Sequence, residues 1–352
     1  EVISKLKADK AGGLDEVLNE MLKVGRGSLE QFLHACFTVV YNNAVYPQSW
    51  RISAIVPIHK KGNIDSCSNY RGISLLSCLN KCFTSILNKR LYCFLEANKV
   101  IVEEQAGFRK RHSTVDHIFT LNAAIQKQTC KKGGKLYVAF VDLRFAFDSV
   151  DRRILLNVLE TSGISGKFLQ LLKTMYEEVF ACVRMKTKCT DTFECARGVR
   201  QGCNLSPTIF SVFINQIALQ MKEKGRHGLQ FLAGLMELYI LLFADDLALL
   251  SSTPAGLQTQ LNILQSCCDS LQLQVNTDKT KIMVFRRGGR LARKEQWCLG
   301  REPLEIVNSY VYLGYTFTTK MSPTIGTARL VVTKARIAAM EVCKLLARFP
   351  DI

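Results

Sequence analysis

The sequence predicts an α+β fold. Three observations carry that prediction. Apolar residues recur at helical spacing in several long segments. Shorter runs of β-type residues end at turn signals. Hydrophobic residues make up 48 % of the 352 positions, enough to bury a core and too many for a disordered tail. The length suggests two or three structural units.

The elements follow in order. Residues 1–50 read as helical, with the strongest spacing in 14–22 and 29–41. Residues 51–58 form a β-type run closed by the basic loop His59-Lys60-Lys61-Gly62-Asn63. Residues 75–95 read as a long amphipathic helix. The basic loop that begins at Gln105 leads into a helix near 114–127, and Gly133-Gly134 is a turn. Residues 136–142 are almost continuously apolar, as in a strand buried on both faces. A helix over 152–160 follows, with Asp148 or Ser149 as its N-cap. Residues 180–196 alternate like a hairpin. Ser206-Pro207 reads as an N-cap plus a proline at the first helical position, opening a helix to about residue 224. Strands at 238–243 and 247–250 flank Ala244-Asp245-Asp246. A helix at 257–271, a strand at 281–285 and a β segment at 310–317 around Gly314 come next. A basic amphipathic helix over 328–349 closes the chain, and the Arg- and Gly-rich loop 286–293 is the expected seam.

The formal charge is +17, from 47 Lys and Arg against 30 Asp and Glu. Such a surplus suits a polyanionic partner, although membrane-surface and ribosomal proteins are basic too. The 14 cysteines include no CxxC pair and no zinc spacing. They read as reduced, mostly buried thiols of an intracellular protein without a signal peptide. Residues 232–250 are apolar enough to suggest a membrane span, yet they hold Glu237, Asp245 and Asp246. An acidic residue at the bilayer centre costs roughly 2.5–3.5 kcal/mol, so a strand pair with carboxylates at its turn is the better reading. The chain starts at Glu1 rather than Met and reads as a piece of something longer.

Two acidic sites stand out. Asp142 ends the buried strand, and Asp245-Asp246 lies between two apolar strands. Carboxylates so placed are costly unless paired or bound to a cation. Taken alone, Asp142 fits either a metal ligand or an exposed turn, while Asp148 fits a turn or a helix cap better. For the adjacent pair metal binding is preferred. An oxygen-only ligand set suits Mg²⁺, Ca²⁺ or Mn²⁺. Two such strands side by side would bring Asp142, Asp245 and Asp246 together.

Seven blocks now fall in one order. They are residues 69–76 (NYRGISLL), 105–109 (QAGFR), 140–148 (FVDLRFAFD), 198–203 (GVRQGC), 243–246 (FADD), 275–281 (VNTDKTK) and 312–315 (YLGY). Together they resemble the motifs of reverse transcriptases, in the FADD wording of LINE-type (non-LTR) retrotransposons and group II introns. The resemblance runs from Lys10 to the last helix. It implies a right-hand polymerase: an N-terminal extension and fingers over 1–135, a palm over 136–285 interleaved with the fingers, a primer-grip-like hairpin over 286–320, and the start of a helical thumb over 321–352. It also implies two Mg²⁺ ions, with Mn²⁺ possible, held by Asp142, Asp245 and Asp246 for phosphoryl transfer.

Other roles follow from the same resemblance. Phe147 matches the steric gate against a ribonucleotide's 2′-hydroxyl. Arg200, Gln201 and Gly202 match the loop that supports the template base and the incoming nucleotide. Arg71, Lys81 and Arg109 are candidates for the triphosphate, and for Lys81 a solvated face is an equal reading. Lys279 matches a general acid for the leaving pyrophosphate, or else is an exposed lysine beside a turn. Leu313 and Gly314 match the primer grip. The implied partners are an RNA template, a DNA primer or target and deoxynucleoside triphosphates, with no membrane; the family's life cycle implies nucleus and cytoplasm.

Three positions depart from the family pattern. Phe145 stands where a small residue is usual and is expected to crowd a neighbouring helix. Asn204 replaces a proline, and Gly13-Leu14-Asp15 replaces Gly-Pro-Asp. Two other readings stay open: a catalytically silent nucleic-acid-binding remnant, and a group II intron maturase.

Overall fold

The computed structural model describes residues 1–319 except 187, 232, 233, 235, 289, 290 and 292–294. The helix expected over 328–349 and the thumb start over 321–352 lie outside the described residues. The chief elements begin with α1 (Asn19–Val24), α2 (Arg26–Asn43), β1 (Ile52–His59), β2 (Tyr70–Leu75) and α3 (Cys78–Ala97). Then come α4 (Thr114–Thr129), β3 (Lys135–Val141), α5 (Arg152–Thr161), α6 (Gly166–Glu177) and β4 (Phe180–Met185). The rest are α7 (Ser206–Glu223), β5 (Ile240–Phe243), β6 (Asp246–Ser251), α8 (Pro254–Leu271), β7 (Lys281–Arg286), β8 (Ser309–Tyr312) and β9 (Tyr315–Thr318). They form two compact units. The first gathers Glu1–Val102, Phe145–Gln216 and Ser270–Leu273; the second holds Glu103–Arg144, Ile217–Asp269 and the described chain from Gln274 on. No boundary between them falls at the seam expected over 286–293.

In the first unit, β1 pairs antiparallel with β2 and parallel with β4. Proline inside β1 is tolerated because Pro57 lies beyond the last β4 partner, Ile55. Phe37, Trp50 and Phe83 form an aromatic cluster with centroids 5.3–6.0 Å apart. Several expectations need correction here. Residues 14–18 are not helical; α1 starts only at Asn19. The preceding chain runs against the start of α3, where a Cβ on Gly13 would stand 2.6 Å from Ser77 N. The N-cap of α5 is Asp151, not Asp148 or Ser149: its Oδ1 accepts from Arg153 N at 2.9 Å and Ile154 N at 3.2 Å. Asp148 and Ser149 instead close a turn onto Phe145 O. Strand β2 and helix α6 had no counterpart in the sequence reading.

In the second unit, the sheet order is Glu305–Ile306, β7, β3, β6, β5. Strand β3 sits at its centre with every residue after Lys135 buried, as its apolar run predicts. Leu121 and Ile125 of α4 pack on Val138, Phe140, Leu250 and Phe285. Each such side chain contributes about 1.5–3 kcal/mol by leaving water. The strand expected at 238–243 is interrupted at Tyr239; Met236–Leu238 pairs with Leu229–Phe231 instead. Hairpin β8–β9 turns at Leu313-Gly314, whose φ values of 50° and 81° are the positive pair that a tight two-residue hairpin turn requires.

No helix among the described residues is long and apolar enough to cross a membrane. None of the described cysteines is in a disulfide, but only Cys78, Cys82, Cys182, Cys203, Cys267 and Cys268 are buried, and Cys67, Cys93, Cys130 and Cys189 are exposed. The expectation of mostly buried thiols therefore holds for less than half of them.

Candidate active site

The site begins with the end of β3. Asp142 follows the buried strand directly and keeps partial solvent contact. The loop after α8 wraps it. Asp142 N–H donates to Thr280 Oγ1 at 3.3 Å, and its carbonyl accepts from Asn276 N at 2.8 Å. Its Oδ2 accepts from Asn276 Nδ2 at 3.1 Å, and Lys279 Nζ lies 3.7 Å from the same oxygen. The orientation of Asp142 is therefore fixed on the side of Oδ2. Asn276 and Thr280 lie within block 275–281, but in sequence a polar pair after a helix gives no signal of what it will face.

The second acidic pair is delivered by the β5–β6 hairpin. Phe243 pairs with Asp246, so Ala244 and Asp245 form the two-residue loop. Val141 pairs with Leu247 across β3 and β6. One step further along that antiparallel register sets Asp142 opposite Asp246. Their electrostatics agree. The surrounding protein chiefly, then the carboxylates of Asp245 and Asp142, push the Asp246 carboxyl up to about 6. The phenol of Tyr310, stacked on Phe140 at 4.5 Å, is raised by burial and then by Asp142 and Asp246. Burial and Asp246 raise Tyr312 likewise.

These three acids share an edge, a field and an all-oxygen chemistry suited to a hard divalent cation. Their mutual repulsion is what such a cation would relieve. Among the described residues no three His, Cys, Asp or Glu side chains are already closed into a metal cluster. The arrangement is thus a converging acid edge rather than a preformed cage.

Comparison with known proteins decides the family. The description "Reverse transcriptase (RNA-dependent DNA polymerase)" matches residues 58–317. The chain belongs to the reverse transcriptase family. A probable RNA-directed DNA polymerase from transposon BS of Drosophila melanogaster is 29 % identical over 80 % of this chain and 31 % of its own length. The RNA-directed DNA polymerase from mobile element jockey of the same fly is 27 % identical over 91 % of this chain and 35 % of its own. A Pol polyprotein from a type-1 retrotransposable element R2 of Nasonia vitripennis is 25 % identical over 75 % and 25 %. The relatives are those of non-LTR transposons, as the wording of the motifs implied. The chain spans only a quarter to about a third of their length. Reverse transcriptases as a family work with divalent metal ions.

The remaining expected residues divide between the units. Lys279, Arg109, Leu313 and Gly314 lie in the second unit with the acids; Arg71, Lys81, Phe147, Arg200, Gln201 and Gly202 lie in the first. Leu313 packs on the core beside Phe140 and Phe317, and Gly314 is exposed. Arg109 departs from its expected phosphate role, because its side chain is only 7 % exposed, donates to Gln105 O and lies 3.7 Å from Glu103. Arg200 departs too. Its guanidinium is buried, donating to Tyr46 Oη at 2.9 Å and to the carbonyl of Trp50. Gln201 Nε2 donates to Asp148 Oδ1 at 2.6 Å. Gly202 has φ +81°, and a Cβ there would stand 2.6 Å from Ser74 O, so strand β2 requires the glycine. Phe147 stacks on Phe210 at 4.2 Å. Arg71 is exposed on β2, and Lys81 is half-buried on α3. Phe145 does not crowd a helix: it is 79 % exposed, on backbone with φ +47°. A small residue suits that backbone better, which is a physical reason for the family's preference. Asn204 donates to Lys81 O at 3.1 Å and Ser85 Oγ at 2.5 Å, replacing proline's rigidity with a tie to α3.

Proposed function

We propose that this chain is the polymerase portion of a LINE-type reverse transcriptase. It copies RNA into DNA by extending a primer 3′-hydroxyl with deoxynucleotides, within target-primed retrotransposition. The observation that carries this reading is the β3–β6 register, which sets Asp142 opposite Asp246 with Asp245 in the adjoining turn.

In right-hand terms the second unit's sheet is the palm, β1, β2 and α3 belong to the fingers, and hairpin β8–β9 is the primer grip. Asp142, Asp245 and Asp246 offer carboxylate oxygens to two Mg²⁺ ions, or to Mn²⁺ in their place. When bound, such ions lower the pKa of the attacking hydroxyl and neutralise charge on the leaving pyrophosphate. Asn276 and Thr280 hold Asp142 in its orientation. Lys279, beside Asp142, gives a proton to the leaving group. Phe147, backed by Phe210, excludes a 2′-hydroxyl by bulk and by offering it no partner. Arg71 and Lys81 contact the triphosphate. Gln201 and Gly202 line the template side, and Arg200 positions that loop from within.

The test is primer extension on an RNA template with a DNA primer, deoxynucleotides and Mg²⁺. DNA synthesis that disappears in Asp245→Asn is expected. Salt-sensitive nucleic-acid binding without synthesis in either form would mean a silent remnant instead.

A further inference from the structure

The chain just before α4 does more than lead into that helix. It runs as a strap along β5, the outer strand of the second unit's sheet. Leu242 N–H donates to Glu104 O and Ala106 N–H to Leu242 O, each at 2.9 Å, and Gln105 forms a parallel bridge with Leu242. Gln105 itself is fully buried. Its Oε1 accepts two backbone N–H groups: that of Gly107 at 2.7 Å and that of Ala244 at 3.2 Å.

Ala244 is the first residue of the loop that carries Asp245, and its φ is +58°. Left-handed backbone costs an alanine roughly 1–2 kcal/mol. It persists only where the surroundings over-determine it. Here two contacts do so. Gln105 Oε1 takes the Ala244 N–H, and Gly107 lies so close that a Cβ on it would stand 2.1 Å from Ala244 N. The other end of the Gln105 amide, Nε2, is buried with no hydrogen-bond partner. A buried amide left half-satisfied is unfavourable for the fold, by about 1–3 kcal/mol. The side chain is therefore kept for what Oε1 does, not for general packing.

We propose that Gln105 and Gly107 are positioning residues that clamp Ala244 in its left-handed conformation and thereby aim the Asp245 and Asp246 carboxylates at their metal ions. The inference rests on the reading of those acids as metal ligands. With the clamp gone, β5 and β6 stay paired with their neighbours, and only the loop between them relaxes. Metal affinity should then fall much more than stability.

The experiment uses Gln105→Met, which keeps length and loses the acceptor. Mn²⁺ is titrated into the chain and followed by EPR, alongside primer extension and thermal melting. We expect the Mn²⁺ dissociation constant to rise roughly 10- to 100-fold. kcat should fall while KM for the deoxynucleotide stays within about twofold. Adding Ala244→Gly should restore much of the Mn²⁺ affinity, since glycine adopts positive φ without a clamp. The same addition should not restore Gly107→Ala, whose new Cβ meets the backbone nitrogen itself. Mn²⁺ binding by Gln105→Met equal to that of the parent chain overturns the proposal. So does a loss that tracks melting and is not relieved by Ala244→Gly. Asp245→Asn separates the two layers. If it loses Mn²⁺ while Gln105→Met keeps it, the clamp alone is wrong; if Asp245→Asn binds Mn²⁺ as the parent does, the metal reading and the clamp fall together.

Discussion

The acid edge of the second unit and loop 198–203 of the first hold their motif side chains in opposite ways. At the acid edge the carboxylates crowd together at strand ends, although Asn276 and Lys279 hold one oxygen of Asp142. Asp246 is even driven toward protonation, chiefly by burial and then by Asp245 and Asp142. In the loop, almost every motif residue is engaged by the fold. Arg200 is bound to Tyr46 and Trp50, Gln201 to Asp148, and Gly202 fits against Ser74 O. A motif residue can thus be conspicuous because chemistry needs it or because the scaffold does. Only the first kind can be substituted without a loss of stability.

The sharpest way to separate the two is Asp142→Asn. Primer extension should drop by about three orders of magnitude or more. The melting midpoint should stay level or rise, because like-charge repulsion at the edge is relieved. A large loss of stability would erase the contrast. The opposite pattern is expected for Arg200→Met, which leaves Tyr46 Oη and the Trp50 carbonyl without their charged donor. Denaturant unfolding should show a loss of about 3 kcal/mol. An unchanged midpoint would mean that the arginine does not serve the scaffold.

His117 tests whether the support beneath the acid edge is scaffold too. Its ring meets Phe243, the residue before the acidic turn, at 6.0 Å. Burial, the largest cause, lowers its pKa from 6.5 to about 4. The unfolded chain therefore binds this proton more readily than the folded one. The resulting stability is present above the ordinary value and is lost as pH falls from 6.5 toward 4. Replacement by Leu should remove about 2 kcal/mol of that acid sensitivity, read from unfolding curves at pH 6.5 and 4.5. A smaller effect is expected for Gly202→Ala, roughly 1–2 kcal/mol from left-handed backbone at the Ser74 contact. If its loss of activity far exceeds its loss of stability, the loop stands closer to the chemistry than the contrast allows.

The parts legible in the sequence were those governed by local pattern. The buried strand at 136–142, the acidic turn and the helix at 257–271 all announced themselves by apolar periodicity. Gly314 marked a hairpin through its own backbone freedom. What stayed hidden depended on distant partners. Strand β2 is short and half-exposed, and only pairing with β1 makes it a strand. Residues 14–18 have helical spacing, yet a turn from Gly13 to Glu16, with Glu16 at φ +56°, stands where the first helical turn would be. Arg109 looks like a phosphate ligand in one dimension, because burial is invisible there. Asn276 and Gln105 are ordinary polar residues until the fold shows what each one holds.

The strap that grips Ala244 has a second effect, on solubility. Strand β5 reads Ile240-Leu241-Leu242-Phe243, and it ends the sheet. An open border of that composition is a template on which another chain can pair and aggregate. Glu104 to Ala106 cover its central hydrogen-bonding groups, so the segment that braces the acidic turn also keeps this strand from recruiting a neighbour.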